Sequence, residues 1–204
     1  MHIAIGGNIG SGKTTLAGLL AKHYNWEPHY ENIDHNPYLT DFYEDMQRWS
    51  FNLQVYFLKT RFEQLITLQK KKETVVQDRT IYEDAHIFAP NLYAMGLMSS
   101  RDFETYKSLF DIMSALITPP QLLIYLRASI PVLVQQIQKR GRDFESSIRL
   151  DYLQRLNERY EAWIENYNLG KVLIIDVDNY NFVDNPEHLS YVLDKINIQL
   201  NGLF

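Results

Sequence analysis

His2-Ile3-Ala4-Ile5-Gly6-Gly7-Asn8-Ile9-Gly10-Ser11-Gly12-Lys13-Thr14-Thr15 runs an apolar strand into the pattern GxxxxGK[ST] and on into a helical stretch. That order decides the fold, because the pattern cradles phosphate when a strand delivers it and a helix follows it. Gly7, Gly10 and Gly12 let the backbone curl so that successive N–H groups face phosphate oxygens. The positive end of the helix beginning near Lys13 faces the same oxygens. Residues 7–14 therefore read as a P-loop in which Gly7, Asn8, Ile9, Gly10, Ser11, Gly12, Lys13, Thr14 and Thr15 hold a nucleoside triphosphate. Lys13 reaches the terminal phosphates, and Thr14 offers its hydroxyl to Mg²⁺. A glycine-rich turn that merely precedes a helix is the competing reading, but every fixed position is filled and both flanks are right.

Outward from this loop, apolar runs alternate with helical patterns, as in a parallel sheet wrapped by crossover helices. Strands are expected over 3–6, 28–31, 75–78, 122–126 and 172–176. Helices are expected over 13–24, 49–72, 81–95, 102–117, 130–140, 150–168 and 186–200. Ser129 and Asn185 stand where helix caps belong, each just ahead of a proline-bearing first turn, and Gly170 stands as a helix stop. No repeat or linker divides the chain, so its 204 residues, 46% of them hydrophobic, are expected to form a single domain over 1–204.

Composition narrows the partners. There are no cysteines, which excludes disulfides and thiolate chemistry, and the six histidines show no metal-ligand spacing. A net charge of −5 argues against a nucleic acid polymer as partner. No run approaches the roughly 20 apolar residues of a membrane span, and the chain opens on its first strand without a basic, apolar leader. A soluble cytoplasmic protein with a small substrate and no membrane partner is the expectation.

Ligands of such sheets lie beyond the carboxyl ends of the strands. The second expected strand ends at Glu31 and the third at Asp78-Arg79, so the two carboxylates flank the place where a donor's terminal phosphate would lie. One carboxylate can act as a base while the other holds metal, the division that phosphoryl transfer to a hydroxyl requires. Bland alternatives stand beside this reading. Glu31 could be an exposed acid at a strand end, and Asp78 could cap the helix beginning near Thr80.

The combination GNIGSGKTT, Glu31, Trp49-Ser50-Phe51-Asn52-Leu53-Gln54, Asp78-Arg79-Thr80 and Lys139-Arg140-Gly141-Arg142 resembles the deoxynucleoside kinases, in the branch with deoxycytidine, deoxyguanosine and bacterial deoxyadenosine kinases. The resemblance covers essentially the whole chain. It implies a P-loop kinase fold, an α/β architecture with a five-stranded parallel sheet flanked by helices and a short arginine-bearing lid. It also implies transfer of the γ-phosphate of ATP to the 5′-hydroxyl of a deoxynucleoside. By that resemblance Glu31 is the general base, and Arg79 stabilises charge at the acceptor oxygen and holds Glu31. Asp78, where many relatives carry Glu, joins Thr14 around Mg²⁺.

The resemblance also implies an acceptor pocket. Gln54 offers a carboxamide to the base edge, and Arg61, seven residues further along the same helix, is the base-contacting arginine with Asp84 as its acidic partner. Phe57 lines the pocket wall, while Tyr43 and Glu145 hold the sugar 3′-hydroxyl. Residues 139–147 match the lid, with Arg140 and Arg142 folding over the donor phosphates. Gln136 departs from the pattern, standing where many relatives carry a further arginine. Read without the family, the 49–72 helix equally allows Gln54 and Arg61 to point to water.

Deoxyadenosine is the expected acceptor, with deoxycytidine or deoxyguanosine as alternatives. A nucleoside monophosphate kinase of thymidylate type is the second enzyme reading, and a nucleotide-binding scaffold without catalysis is the third. Likeness to the family also implies a homodimer packed through the 49–72 and 102–117 helices.

Overall fold

The computed structural model describes residues 1–31, 36–142 and 148–202. A five-stranded sheet in the order β2-β3-β1-β4-β5 carries β1 (His2–Gly7), β2 (Glu27–His29), β3 (Val75–Asp78), β4 (Leu122–Arg127) and β5 (Lys171–Asp176), all parallel. Central β1 is apolar on both sides because both sheet faces are covered. Ile3 and Ile5 pack with Leu16, Leu20, Val192 and Ile196 of α1 (Lys13–Tyr24) and α9 (Pro186–Asn201). Ala4 between them joins the opposite layer of α3 (Met46–Leu68) and α8 (Leu150–Glu165), with Leu58, Leu65, Leu153 and Leu156. The period-two alternation of a strand thus sorts neighbouring residues into two cores.

Every expected strand and helix is present; 13–24, 75–78 and 130–140 keep the expected ends and the others are shifted. β2 stops at His29, so Glu31 stands beyond the strand rather than at its last position. α3 starts earlier than expected because Asp45 caps it, accepting from the Arg48 N–H at 3.0 Å. A short helix, α2 (Leu39–Glu44), was not expected at all; six residues are too few for a periodic signal.

The 81–95 stretch is α4 (Ile81–Glu83), a π-helical turn at Asp84–Phe88 and α5 (Ala89–Ala94). Pro90 supplies the physical reason, since it has no N–H to close an α-helical bond and its ring crowds the preceding turn. Asn185 caps α9, accepting from the N–H groups of Glu187 and His188. Ser129 precedes α7 (Ile130–Arg140) without a side-chain cap bond. Gly170 is not a helix stop, because α8 ends at Glu165; a Cβ there would lie 2.6 Å from the Pro120 carbonyl oxygen, so the residue serves a close backbone approach. α6 (Ser100–Ser114) completes the α3 side of the sheet.

Candidate active site

Register places the carboxyl ends of β1 and its neighbours side by side, Ile5 opposite Asp78 and Gly7 opposite Leu126. The loop leaving β1 curls through Gly10 at φ 86° and Gly12 at φ 92°, a conformation costly to residues with a Cβ. A Cβ on Gly10 would also meet the Leu133 carbonyl oxygen of α7 at 2.8 Å, so helix α7 rests directly on the loop. Lys13 folds back on the loop and donates to the Gly7 and Asn8 carbonyls at 2.8 and 2.9 Å. Burial, with Arg79 adding its like charge, lowers the Lys13 ammonium to about 8.

Thr14 Oγ1 donates to Asp78 Oδ2 at 2.5 Å, and Asp78 Oδ1 is buried with no hydrogen-bond partner. Asp78 therefore does not cap the next helix; Thr80 occupies that position. Among the described residues no group of three or more His, Cys, Asp or Glu is placed to hold a metal. The hydroxyl and the spare carboxylate oxygen of Thr14 and Asp78 nevertheless suit a hard cation that takes its remaining ligands from phosphate and water.

Glu31 is not an exposed acid. Its side chain is 10% exposed and pairs with Arg61 Nη2 at 2.5 Å and Arg79 Nη1 at 3.4 Å. Burial alone would raise its carboxyl, but Arg79, Arg61 and Lys13 outweigh burial and hold it down at about 2. Arg61 also pairs through Nε with Asp84, whose carboxyl burial pushes up to about 6 against the pull of Arg61 and Arg79. Arg79 lies at φ 66°, unusual for a residue with a side chain, and its guanidinium sits 4.5 Å from the Phe88 ring centroid. Backbone strain of this kind collects at functional sites.

A cleft of about 260 Å³ draws these groups together. Ile9, Gly10, Gly12, Lys13, Thr14, Thr15, Glu31, Tyr43, Gln54, Phe57, Arg79, Asp84, Arg140 and Arg142 line it, as expected. Gln54 is 2% exposed with its carboxamide oxygen buried and unbonded, so the solvent-facing alternative for this helix fails.

Other expected residues sit elsewhere. Arg61 lies behind the cleft wall, shared between Glu31 and Asp84. Asn8 turns its side chain to α8, donating to Leu153 O at 3.0 Å and Asn157 Oδ1 at 3.2 Å, and Gly7 and Ser11 also lie off the wall. Glu145, and with it the 143–147 part of the expected lid, lies outside the described residues. The cleft also uses Leu39, Phe42, Phe88 and Tyr152, apolar and aromatic residues that in sequence look like any core position.

The deoxynucleoside kinase family model matches residues 3–201. The chain belongs to the deoxynucleoside kinase family. It is 38% identical over 196 residues to the deoxyadenosine/deoxycytidine kinase of Bacillus subtilis (strain 168), covering 95% of this chain and 90% of that one. With the deoxyadenosine kinase of Dictyostelium discoideum the identity is 40% over 192 residues, covering 94% and 77%. A deoxyguanosine kinase of Lactobacillus acidophilus is 36% identical over 203 residues, covering 95% and 88%. The structure of deoxyadenosine kinase from M. mycoides with bound dATP superposes with a TM-score of 0.85 at 29% identity, covering 97% of this chain and 100% of that chain. The molecule thus has a P-loop kinase fold and is a deoxynucleoside kinase, an ATP-dependent phosphotransferase.

Proposed function

We propose that this deoxynucleoside kinase transfers the γ-phosphate of ATP to the 5′-hydroxyl of deoxyadenosine, with deoxycytidine the next acceptor. One observation carries the reading: a single cleft joins the Lys13–Thr14 end of the P-loop, the Glu31 carboxylate and the buried Gln54 and Asp84 side chains. The unbonded Gln54 carboxamide oxygen supports the base preference, because it suits the exocyclic amino group that adenine and cytosine both present beside a ring nitrogen acceptor. Thymine offers the reverse order of donor and acceptor.

The chemistry divides among the residues by position. Thr14 and Asp78 would hold Mg²⁺, which when bound neutralises charge on the donor's phosphate oxygens. Lys13 exchanges its loop carbonyls for the terminal phosphates, and Arg140 and Arg142 close over them as lid residues. Glu31 accepts the proton of the 5′-hydroxyl. A carboxyl held at about 2 is a weak base in the empty cleft. As Lys13 and Arg79 turn to phosphate oxygens, two of the three cations that depress it are shared, and its proton affinity rises as the hydroxyl attacks. A loose, dissociative transfer asks little of the base until late.

We also read the chain as one domain acting in the cytoplasm; no helix among the described residues is long and apolar enough to cross a membrane. We read it as a homodimer through α3 and α6, supported by Ile112 of α6 and Leu116 in the turn just after it, each 63% exposed, and sedimentation equilibrium reads the mass. Initial rates with ATP, Mg²⁺ and each of the four deoxynucleosides, and with deoxyadenosine monophosphate as acceptor, test the function. The expected order is deoxyadenosine, then deoxycytidine, with thymidine far behind. Thymidine turned over as fast as deoxyadenosine, or turnover of the monophosphate alone, contradicts it.

A further inference from the structure

Glu83 is a buried acid, 0% exposed, that does not line the cleft. One carboxylate oxygen accepts from the Gly7 N–H at 3.2 Å and the Tyr160 hydroxyl at 2.9 Å. The other accepts from the Thr80 N–H at 2.7 Å and the Thr80 hydroxyl at 3.2 Å. Four donors therefore fill the acceptor sites of one carboxylate. Gly7 is the first residue of the P-loop. Thr80 directly follows Arg79, the residue at φ 66°.

We propose that Glu83 is a positioning residue for phosphoryl transfer, tying the entrance of the P-loop to the turn that presents Arg79. It thereby sets the donor side of the cleft against the acceptor side. The inference rests on the reading of Arg79 as the residue that holds Glu31 and steadies charge at the acceptor oxygen. A plain helix cap would explain the Thr80 contacts, since Thr80 and Glu83 form a capping box. It does not explain the second oxygen, which serves the end of β1 and the α8 residue Tyr160, neither of them part of that helix. The carboxyl packs against the β1 backbone: a Cβ on Gly6 would lie 3.4 Å from the Glu83 carboxyl carbon, in van der Waals contact. The left-handed backbone of Arg79 needs surrounding contacts to hold it: its own N–H donates to the Ile5 carbonyl at 3.0 Å on one side, and the Thr80 N–H donates to Glu83 on the other.

Glu83→Gln is the test, because the carboxamide keeps the shape but turns one N–H donor toward the donors of Gly7 or Thr80. Misplacement on the order of an ångström far from the chemistry lowers turnover by about 10²-fold, so kcat should fall about ten- to a hundredfold. The KM for the nucleoside should stay within about threefold, since the walls contributed by α3 are untouched. In an Arg79→Ala background the same change should lower kcat less than about threefold, because the group it positions is gone.

Rates are read below the melting temperature of every variant, and Tyr160→Phe replaces Glu83→Gln in the same cycle if the latter does not fold. A near-normal kcat for the Glu83 variant, or equal fold-losses in both backgrounds, overturns the inference and leaves a helix cap. If Arg79→Ala itself keeps normal kcat, the reading of Arg79 fails and the inference fails with it. A slow Arg79→Ala beside a normal Glu83→Gln overturns the inference alone.

Discussion

Two carboxylates of the cleft wall, Glu31 and Asp84, lie among the guanidiniums of Arg61 and Arg79, and their surroundings push them in opposite directions. Glu31 touches both Arg61 and Arg79, whereas Asp84 has a direct bond to Arg61 and is 1% exposed. Burial dominates at Asp84 and the neighbouring cations dominate at Glu31. The consequence for stability has a definite sign. With a folded value of about 6 against 3.8, Asp84 binds a proton in the native state before it does in the unfolded chain. Its ionisation therefore costs stability above about pH 6, and that cost is relieved as pH falls from about 6 toward 3.8. Chemical denaturation across pH 7 to about 4 should show wild type gaining stability relative to Asp84→Asn as pH falls. A constant difference, or a loss, contradicts the account. From sequence, the acids at the strand ends were legible as candidates because the topology says where ligands sit. The contact of Arg61 with Glu31 was not, since the two are 30 positions apart and no local pattern records the meeting.

At the scale of the element, α3 lines the part of the cleft proposed for the acceptor, with Leu53, Gln54 and Phe57. Leu53, Leu58 and Leu65 define its buried stripe, and Gln54 and Arg61 fall on the same face, each 2% exposed. A periodic pattern alone leaves such polar residues ambiguous, because a stripe edge can meet solvent as well as a site. What resolves Arg61 is the pairing across to Asp84 in the π-helical turn, and that turn was itself invisible in the hydrophobic pattern; Gln54 is resolved by its place on the cleft wall. Removing Arg61 alone should strand the buried Asp84 carboxylate, leave Glu31 with Arg79 alone, and cost about 3–5 kcal/mol of stability. Arg61→Met with Asp84→Ala removes both partners and should recover part of that loss. It should also shift selectivity toward thymidine by on the order of 1–3 kcal/mol. Values of kcat/KM on deoxyadenosine and thymidine check this; an unchanged ratio means that the pair has no part in reading the base.

At the scale of the molecule, sheet order brings the two halves of the chemistry together. β3 lies between β2 and β1, so the segment leaving β2 with Glu31 and the loop leaving β1 with Lys13 approach Arg79 from opposite sides. Strand and helix existence was legible from apolar periodicity, and the P-loop from its glycines, because both signals are local. Strand order, the rear position of Arg61 and the Glu83 joint arise from long-range packing and surface only in three dimensions. The central claim is that this packing delivers the Glu31 carboxylate to the acceptor hydroxyl. Single-turnover transfer by Glu31→Gln, with deoxyadenosine affinity measured on the same preparation, tests it most directly. The account predicts a rate lower by about 10²–10⁴ with affinity nearly unchanged. A near-normal transfer rate, or a loss that lies wholly in nucleoside affinity, would contradict it.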